Sequence, residues 1–231
     1  MSPPRTVEVA GRRVEYQIVR SPRRRRMTLR VDATGQVELR LPRSVSVAEG
    51  QAFLVANRDW LGQRLAQVRP QRILTDGACL PWLDEGLLLR LQLAPQGRAV
   101  RREQELWVMA SDHGRETVVP LLEGWYRQQA QIWMAARVAD YGPRLGVQPS
   151  RLLIRGQRCR WGSCSSRGTI SLNWRLMLAP AMLPDYVLVH ELCHLHRMDH
   201  SPVFWNWVEQ LVPDWRQRRA ALRQLAPELW L

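Results

Sequence analysis

The sequence predicts an α+β protein, in which a β-rich N-terminal region with one helix precedes a mostly helical C-terminal region with a small sheet. Apolar and polar residues alternate from Val7 to Leu41, and this period of two is typical of strands with one buried face. From Glu116 onward, apolar residues recur at helical spacing. The apolar content of 45% with 11 Trp residues favours a packed globular protein. The change of period divides the chain into residues 1–112 and 113–231, which we expect to form one compact unit.

The first strands are predicted to form two β-hairpins. Turn residues occur at 10–13 and again at 32–35, between stretches of alternating residues. A run of arginines at 23–26 lies between the two predicted hairpins. We interpret this run as a solvated loop or strand edge, and a phosphate-binding segment is the alternative.

A helix is predicted after Pro42 ends the sheet. Ser46 is followed three residues later by Glu49, a pair that is typical of a capping box at a helix N-terminus. The apolar spacing continues to Leu65, and Pro70 ends the segment. Strand character then returns over residues 73–110.

The C-terminal region is predicted to be mostly helical. Its elements are a long helix over residues 116–141, strands at 152–155 and 169–174, and helical sequence from 184 onward, interrupted at 199–202 and 212–213. Gly142 and Pro143 should stop the long helix, because both residues disfavour a helix interior. Residues 158–168 form a predicted loop between the two strands.

Charge and cysteine content limit the classes of partner and compartment. The net charge of +13 raises nucleic acid as a partner, but all 34 basic residues are Arg, which is typical of a composition bias. Nucleic-acid binding is therefore possible but not favoured. The lack of a signal peptide and of a long apolar run predicts a cytoplasmic protein without a membrane span. Without a CxxC pair, we expect free thiols, with Cys193 packed in the core and a metal at Cys159 and Cys164 as the alternative.

The densest chemical signal is a group of histidines, since four of the five lie between residues 190 and 200. His190 and His194 are four residues apart, so both imidazoles project from one face of a helix. That spacing suits two ligands of Zn²⁺, and Glu191 beside them is placed to accept a proton from a metal-bound water. The segment predicts a zinc-dependent hydrolase with Glu191 as the general base. A core helix that happens to carry histidines is the alternative.

The third metal ligand must come from chain that turns back after the helix. His200 satisfies this requirement, and Glu209 is the alternative because zinc hydrolases use either residue type. His196 does not, since two helical residues correspond to about 200° around the axis. We expect it to support a ligand or to lie at the surface. Three histidines with an open fourth position are typical of a catalytic site, whereas structural zinc sites are usually closed by cysteines.

Further site residues are predicted with less support from spacing. A hydrolase must stabilise a developing oxyanion, and Arg160 and Tyr141 are candidates, with a structural hydrogen-bonding role as the alternative for each. Trp161, Gly162 and Ser163 form a candidate wall on the substrate side, where Gly162 allows close approach of backbone. A turn between strands with a core Trp is the other interpretation.

Several segments together resemble a known family. Residues 160–165 read RWGSCS, residues 190–195 read HELCHL, and Asp199-His200-Ser201 and Phe204-Trp205 follow. This combination resembles the YgjP-like family of bacterial metallopeptidase-like proteins, which is related to the SprT and WLM zinc peptidases. The similarity extends into the N-terminal half, so it covers most of the chain.

The resemblance implies a zincin-like C-terminal lobe whose HExxH helix supplies two ligands. The family's ligands correspond to His190, His194 and His200, and residues 160–163 correspond to its loop beside the active site. One departure concerns the metzincin-like pattern, which has Gly where this chain has Arg197. A left-handed turn would be strained for Arg, so the chain should reverse by another route.

Three functions are consistent with the predicted site. A peptidase could pair an extended peptide or protein substrate with the strand at 169–174. A nucleoside triphosphate pyrophosphohydrolase would use the same chemistry, and arginines at 23–26 and 158–160 would suit its phosphates. A non-catalytic module that binds metal and contacts nucleic acid or protein is the third. Glu191 argues against the third function, because a structural metal does not require a base beside it.

Overall fold

The computed structural model describes residues 5–22, 24–32, 35–66, 72–157 and 160–231. The chain forms two compact units, Met1–Gln71 and Arg72–Leu231. The change of sequence period at residues 112 and 113 lies within the second unit, and the domain division drawn there stays a prediction. Among the described helices, none has the length and apolar composition needed to cross a membrane.

The first unit contains a mixed sheet with the strand order β1-β2-β4-β3. Its strands are β1 (Arg5–Val9), β2 (Arg12–Ser21), β3 (Thr28–Val31) and β4 (Val37–Pro42). Antiparallel pairing of β1 with β2 and of β3 with β4 gives the two predicted hairpins, and β2 runs parallel to β4. Arg23 of the arginine run, and Ala33 and Thr34 of the second predicted turn, lie outside the described residues.

Two helices, α1 (Val47–Ala56) and α2 (Arg58–Ala66), replace the single helix that the sequence predicts. The capping box is present, since the Glu49 N–H donates to the Ser46 hydroxyl and the Ser46 N–H donates to the Glu49 carboxylate. The break falls at Asn57, whose side-chain amide donates to the Phe53 carbonyl at 2.8 Å. An Asn side chain that bonds backbone in this way competes with helix continuation. Pro70, the predicted stop, lies outside the described residues.

The second unit begins with another mixed sheet, in the strand order β5-β6-β8-β7. Its strands are β5 (Cys79–Trp82), β6 (Glu85–Leu93), β7 (Arg98–Arg102) and β8 (Glu105–Ala110). The sequence predicts strand character for most of this stretch. It does not indicate β7, because arginines occupy three of its five positions and leave little apolar alternation.

The long helix α3 (Arg115–Leu145) passes through the Gly142-Pro143 pair at which the sequence predicts its end. Pro143 lies in the last turn, and Gly146 supplies the left-handed cap with φ of 67°. The Gly146 N–H donates to the Pro143 carbonyl, and the Val147 N–H donates to the Gly142 carbonyl at 2.9 Å. These bonds satisfy carbonyls at the helix end. The prediction was therefore wrong by one turn, because the true cap is the later glycine.

A small sheet with the order β10-β11-β9 follows. Its strands are β9 (Arg151–Arg155), β10 (Gly162–Cys164) and β11 (Thr169–Asn173). β11 is bonded to β10 on one side and to β9 on the other. The prediction that a substrate pairs with residues 169–174 is therefore wrong, because neither edge of β11 is free. In the described residues, β10 has one unpaired edge.

Three helices complete the unit: α4 (Met182–Cys193), α5 (Pro202–Leu211) and α6 (Trp215–Leu225). The break between α5 and α6 agrees with the predicted interruption at 212–213, whereas the break before α5 begins right after Cys193, earlier than the predicted 199–202, and α5 already begins at Pro202. α4 is buried along almost its whole length. Arg137 of α3 binds Asp185 in the first turn of α4. It donates hydrogen bonds from Nε to Asp185 Oδ1 at 2.7 Å and from Nη2 to Oδ2 at 2.8 Å. This bidentate ion pair fixes α4 relative to α3.

Candidate metal centre

The end of α4 brings three histidines together. His190 lies in the last turn of the helix, His194 is its C-cap, and His200 lies two residues before α5 begins. Their candidate ligand nitrogens all lie within 4.8 Å of one another. The structure thus places His200 beside His190 and His194.

The spacing of the imidazoles fits one metal ion. Nε2 of His190 lies 3.2 Å from Nε2 of His200. Two nitrogens that bind one tetrahedral zinc at about 2.0–2.1 Å would lie about 3.3 Å apart. Two neutral imidazoles facing each other through their lone pairs repel unless a proton or cation lies between them. The two nitrogens are therefore suitably placed to bind one divalent cation.

His190 and His194 are held in the neutral form that binds metal ions. Burial, together with the charges of His194, His200 and Arg219, lowers the pKa of His190 to about 3, so its imidazole is neutral at pH 7. Burial also lowers the pKa of His194. Nδ1 of His194 lies 3.0 Å from the Arg197 carbonyl, so it carries the proton and leaves Nε2 for a metal.

The turn from His194 to His200 is held by Asp199. Its carboxylate accepts hydrogen bonds from Arg197 Nε at 2.9 and 3.0 Å and from the Ser201 N–H at 3.0 Å. Arg197 is not among the residues with positive φ. The chain thus reverses without the left-handed residue of the metzincin-like pattern, in agreement with the prediction.

Glu191 is the carboxylate beside these histidines. The residue is 6% exposed, and burial raises the pKa of its carboxyl to about 7, opposed by the positive charge of Arg160. A carboxyl with a pKa near the operating pH can both take up and release a proton. Burial and the Glu191 charge also raise the pKa of Cys164 to about 11, which indicates that β10 lies against the carboxylate.

His190, His200 and Glu191 line a cavity of about 570 Å³. Its walls combine α4, the start of β10, the chain around α5 and one face of α6. The lining residues are Trp161, Gly162, Tyr186, Val187, His190, Glu191, His200, Trp205, Arg219, Leu222 and Arg223. Such a concave, partly apolar site with a few polar groups is typical of a substrate pocket.

Residues 25–225 match the family model described as YgjP-like, metallopeptidase domain. The chain belongs to the YgjP-like family. The resemblance predicted from the sequence is thus confirmed, and the family implies a metal ion and a peptide or protein substrate.

Two further comparisons complete this result. Among solved structures, the YgjP-like chain is similar to that in "Crystal structure of the metallopeptidase zymogen of Pyrococcus abyssi abylysin", with 25% identity and a TM-score of 0.37. The match covers 40% of this chain and 94% of the other. No curated protein matches the chain.

The structure brings some of the predicted substrate residues of this YgjP-like protein to the cavity and leaves others away from it. Trp161 and Gly162 line the cavity, and the charge of Arg160 acts on Glu191. On β10, Gly162 and Cys164 both lie against Glu191. Ser163 lies between them, so its side chain is on the other side of the strand. Tyr141 does not line the cavity, and its hydroxyl accepts a hydrogen bond from Arg137 Nη2 at 2.6 Å.

The other residues considered around the metal site make contacts away from the three histidines or lie in the core. Glu209 forms an ion pair with Arg216 at 3.0 Å. His196 Nε2 lies 2.7 Å from the Leu145 carbonyl. Cys193 is fully buried, as predicted. Cys159 lies outside the described residues, so its suggested pairing with Cys164 stays untested.

Sequence reasoning missed six of the lining residues, which are Tyr186, Val187, Trp205, Arg219, Leu222 and Arg223. Tyr186 could have been found, because it lies four residues before His190 and therefore on the same face of the helix. The two arginines carry no such signal. In a chain with 34 arginines, spacing alone does not separate those that face a cavity from those that face solvent.

Proposed function

We propose that this YgjP-like protein is a zinc-dependent metallopeptidase, in which His190, His194 and His200 hold the ion and Glu191 is the general base. The observation that carries the proposal is the burial of Glu191 next to three converging histidines, of which His190 and His200 line the same cavity as Glu191. A metal without a catalytic role does not require this carboxylate. The metallopeptidase family model over residues 25–225 supports hydrolysis of a peptide bond.

The chain's own residues supply proton transfer and binding. When bound, zinc lowers the pKa of a coordinated water towards neutrality and polarises the scissile carbonyl. Glu191 accepts a proton from the attacking water and delivers it to the leaving amine nitrogen. In the metal-free protein, burial raises the pKa of this carboxyl to about 7, and a cation bound beside it would lower that pKa, so the ionised base is available near neutral pH. Arg160 is a candidate for stabilising negative charge, because its guanidinium acts on the same carboxylate.

The substrate is proposed to bind as an extended strand along β10. This strand has an unpaired edge in the described chain and begins at Gly162, which lines the cavity. An extended peptide that adds to a sheet edge gains main-chain hydrogen bonds without dependence on its sequence. This arrangement replaces the pairing with β11 that the sequence suggested.

The test measures zinc content and peptide cleavage for the wild type and Glu191→Gln, with Glu209→Gln as the matched control. Glu209 is exposed and does not line the cavity. We expect Glu191→Gln to keep its zinc but to lose roughly 10²–10⁴-fold in kcat, the usual range for a general base. The control should cleave as the wild type does.

Three results would overturn the proposal. Equal cleavage by the wild type and Glu191→Gln would remove the general base. A zinc content near zero, unchanged by His200→Ala, would remove the metal site. A nucleotide panel is included in the same assay, because cleavage of nucleoside triphosphates alone, abolished by Glu191→Gln, would assign the site to phosphoanhydride hydrolysis.

A further inference from the structure

We infer that Arg219 and Arg223 form an anion subsite in the cavity, which binds a carboxylate of the peptide substrate close to the scissile bond. This inference rests on the proposed peptidase function and adds the class of substrate that the site selects. The carboxylate belongs either to an acidic side chain or to the C-terminus of the peptide. Both sources present the same planar, negatively charged group to a guanidinium.

The arginines of α6 fall into two groups. Arg216 pairs with Glu209 at 3.0 Å, and Arg218 pairs with Asp214 at 2.8 Å. Arg219 and Arg223 instead line the cavity. Neither is paired with a carboxylate of the described residues. Two of the four arginines on one short helix are thus left with cationic groups facing the candidate substrate site.

The two arginines place like charges side by side on α6 with no carboxylate of the described residues between them. They are four residues apart on one helix face, where like charges repel. Leu222 lies between them in the sequence, is buried and forms part of the cavity wall. Among the described lining residues, Glu191 is the single carboxylate. A bound carboxylate would relieve the repulsion and accept hydrogen bonds from both guanidinium groups.

The subsite lies near the candidate metal ligands. The guanidinium carbon of Arg219 is 5.8 Å from the ring centre of Trp205. The same ring is 5.6 Å from the imidazole centre of His190 and 5.7 Å from that of His200. An extended peptide advances by about 3.4 Å per residue. A carboxylate one to three residues from the scissile bond would therefore reach the arginines.

The other lining residues favour a peptide carboxylate over a nucleotide phosphate. Trp161, Trp205, Val187 and Leu222 give the cavity apolar and aromatic surfaces that suit peptide side chains. Enzymes that act on nucleoside triphosphates bind Mg²⁺ through one or two carboxylates besides the phosphates. Within the described residues, the cavity offers only Glu191, which is assigned here to proton transfer.

The test measures binding of short fluorescent peptides to the zinc-loaded Glu191→Gln protein, which holds peptides without cleaving them. One peptide series carries Glu at one position at a time with an amidated C-terminus. A second carries Gln at the same positions with a free C-terminus, and a third carries Gln with an amidated C-terminus. Inorganic triphosphate is the phosphate probe. The double variant Arg219→Gln with Arg223→Gln is compared with the control Arg216→Gln.

We expect at least one carboxylate-bearing series to bind about tenfold more tightly than the uncharged series. The double variant should lose this preference, and Arg216→Gln should retain it. The series that shows the preference identifies the source of the carboxylate. Both side chains are exposed, so these substitutions should leave the melting temperature unchanged. If the double variant is unstable, each single variant should show part of the loss.

Equal binding of all three series would overturn the inference. So would tighter binding of inorganic triphosphate than of any peptide, if the double variant abolished it, because the subsite would then be one for phosphate. Zinc content and cleavage by the wild type test the proposed peptidase separately. Binding to the Glu191→Gln protein requires no turnover, so failure of one proposal is distinguishable from failure of the other.

Discussion

The backbone of Gly162 lies directly against the carboxylate of Glu191. A Cβ placed on Gly162 would lie 2.5 Å from Oε1 of Glu191 and 2.8 Å from its Cγ, closer than atoms can approach. The absence of a side chain at the start of β10 therefore allows the carboxylate to occupy its buried position. This contact links the strand proposed to bind substrate with the residue proposed to transfer the proton.

Gly162→Ala should displace Glu191 and reduce both peptide cleavage and stability. We expect a loss of about 1–3 kcal/mol in the free energy of unfolding, the usual cost of overpacking, with kcat reduced by at least about tenfold. Gly124→Ala is the matched control, because a Cβ there meets no atom within 4 Å. Gly124 lies inside α3, where Ala is favoured, so this variant should be stable and fully active. Normal cleavage by Gly162→Ala would contradict the proposed contact.

The raised pKa of Glu191 predicts a pH-dependent stability in the metal-free protein. Between pH 4.5, the ordinary value, and about 7, the folded protein keeps a proton on Glu191 that the unfolded chain releases. The stability linked to this proton is present below pH 4.5 and is lost as pH rises through 7. Over this interval, the free energy of unfolding of the wild type should therefore fall by up to roughly 3 kcal/mol relative to that of Glu191→Gln.

Urea unfolding of the two proteins at several pH values, with a chelator present, measures this difference. His190 has the opposite influence, because burial lowers its pKa to about 3 and acid therefore favours the unfolded chain. Both proteins share His190, so its contribution cancels in the comparison. A difference that stays constant with pH would show that Glu191 has an ordinary pKa.

Removal of Asp199 should weaken metal binding. Its carboxylate accepts hydrogen bonds from both Arg197 and the Ser201 N–H, and these bonds stabilise the turn that positions His200. We expect Asp199→Ala to raise the zinc dissociation constant by about 10–100-fold, as for other residues that orient metal ligands. Competition with a chromophoric chelator measures this constant. Glu209→Ala should bind zinc normally, and weakened binding by that control would point to Glu209 as a ligand.

The ion pair between Arg137 and Asp185 should stabilise the fold. Asp185→Asn leaves the guanidinium without its bidentate partner at the first turn of α4. Removal of one partner from a fully buried pair lowers the free energy of unfolding by about 3–5 kcal/mol. Because Arg137 is partly exposed, we expect a loss of about 2 kcal/mol for Asp185→Asn. Asp140→Asn is the control, since Asp140 lies 3.5 Å from Arg137 and is exposed. It should cost less than about 0.5 kcal/mol in thermal unfolding.

The sequence was most informative where a local pattern determines the structure. The capping pair Ser46 and Glu49, the two hairpins and the spacing of His190 and His194 are all local, and each has the predicted form in the structure. Gly146 ends α3 where Gly142 was expected to do so, because a sequence with two nearby glycines does not show which one adopts positive φ.

The rest of the candidate site depends on contacts between distant segments. β10 has three residues and no alternating pattern, and it exists as a strand because β11 provides its hydrogen bonds. Arg219 and Arg223 enter the cavity through the orientation of α6, which is set by packing of Trp215 and Leu222 in the core. Tyr141 was proposed for catalysis from its residue type alone, and its hydrogen bond to Arg137 shows a structural contact instead.

The candidate ligands all lie within one short stretch, from His190 to His200, whereas the core that surrounds α4 extends from Leu80 to Leu229. Small zinc domains fold only with their ion, because they have little core of their own. Here the ion would close a short turn at the edge of an already packed helix. We therefore expect the polypeptide to remain folded when it exchanges its ion with the surroundings. The supply of metal would then set the fraction of active molecules without changing the amount of protein.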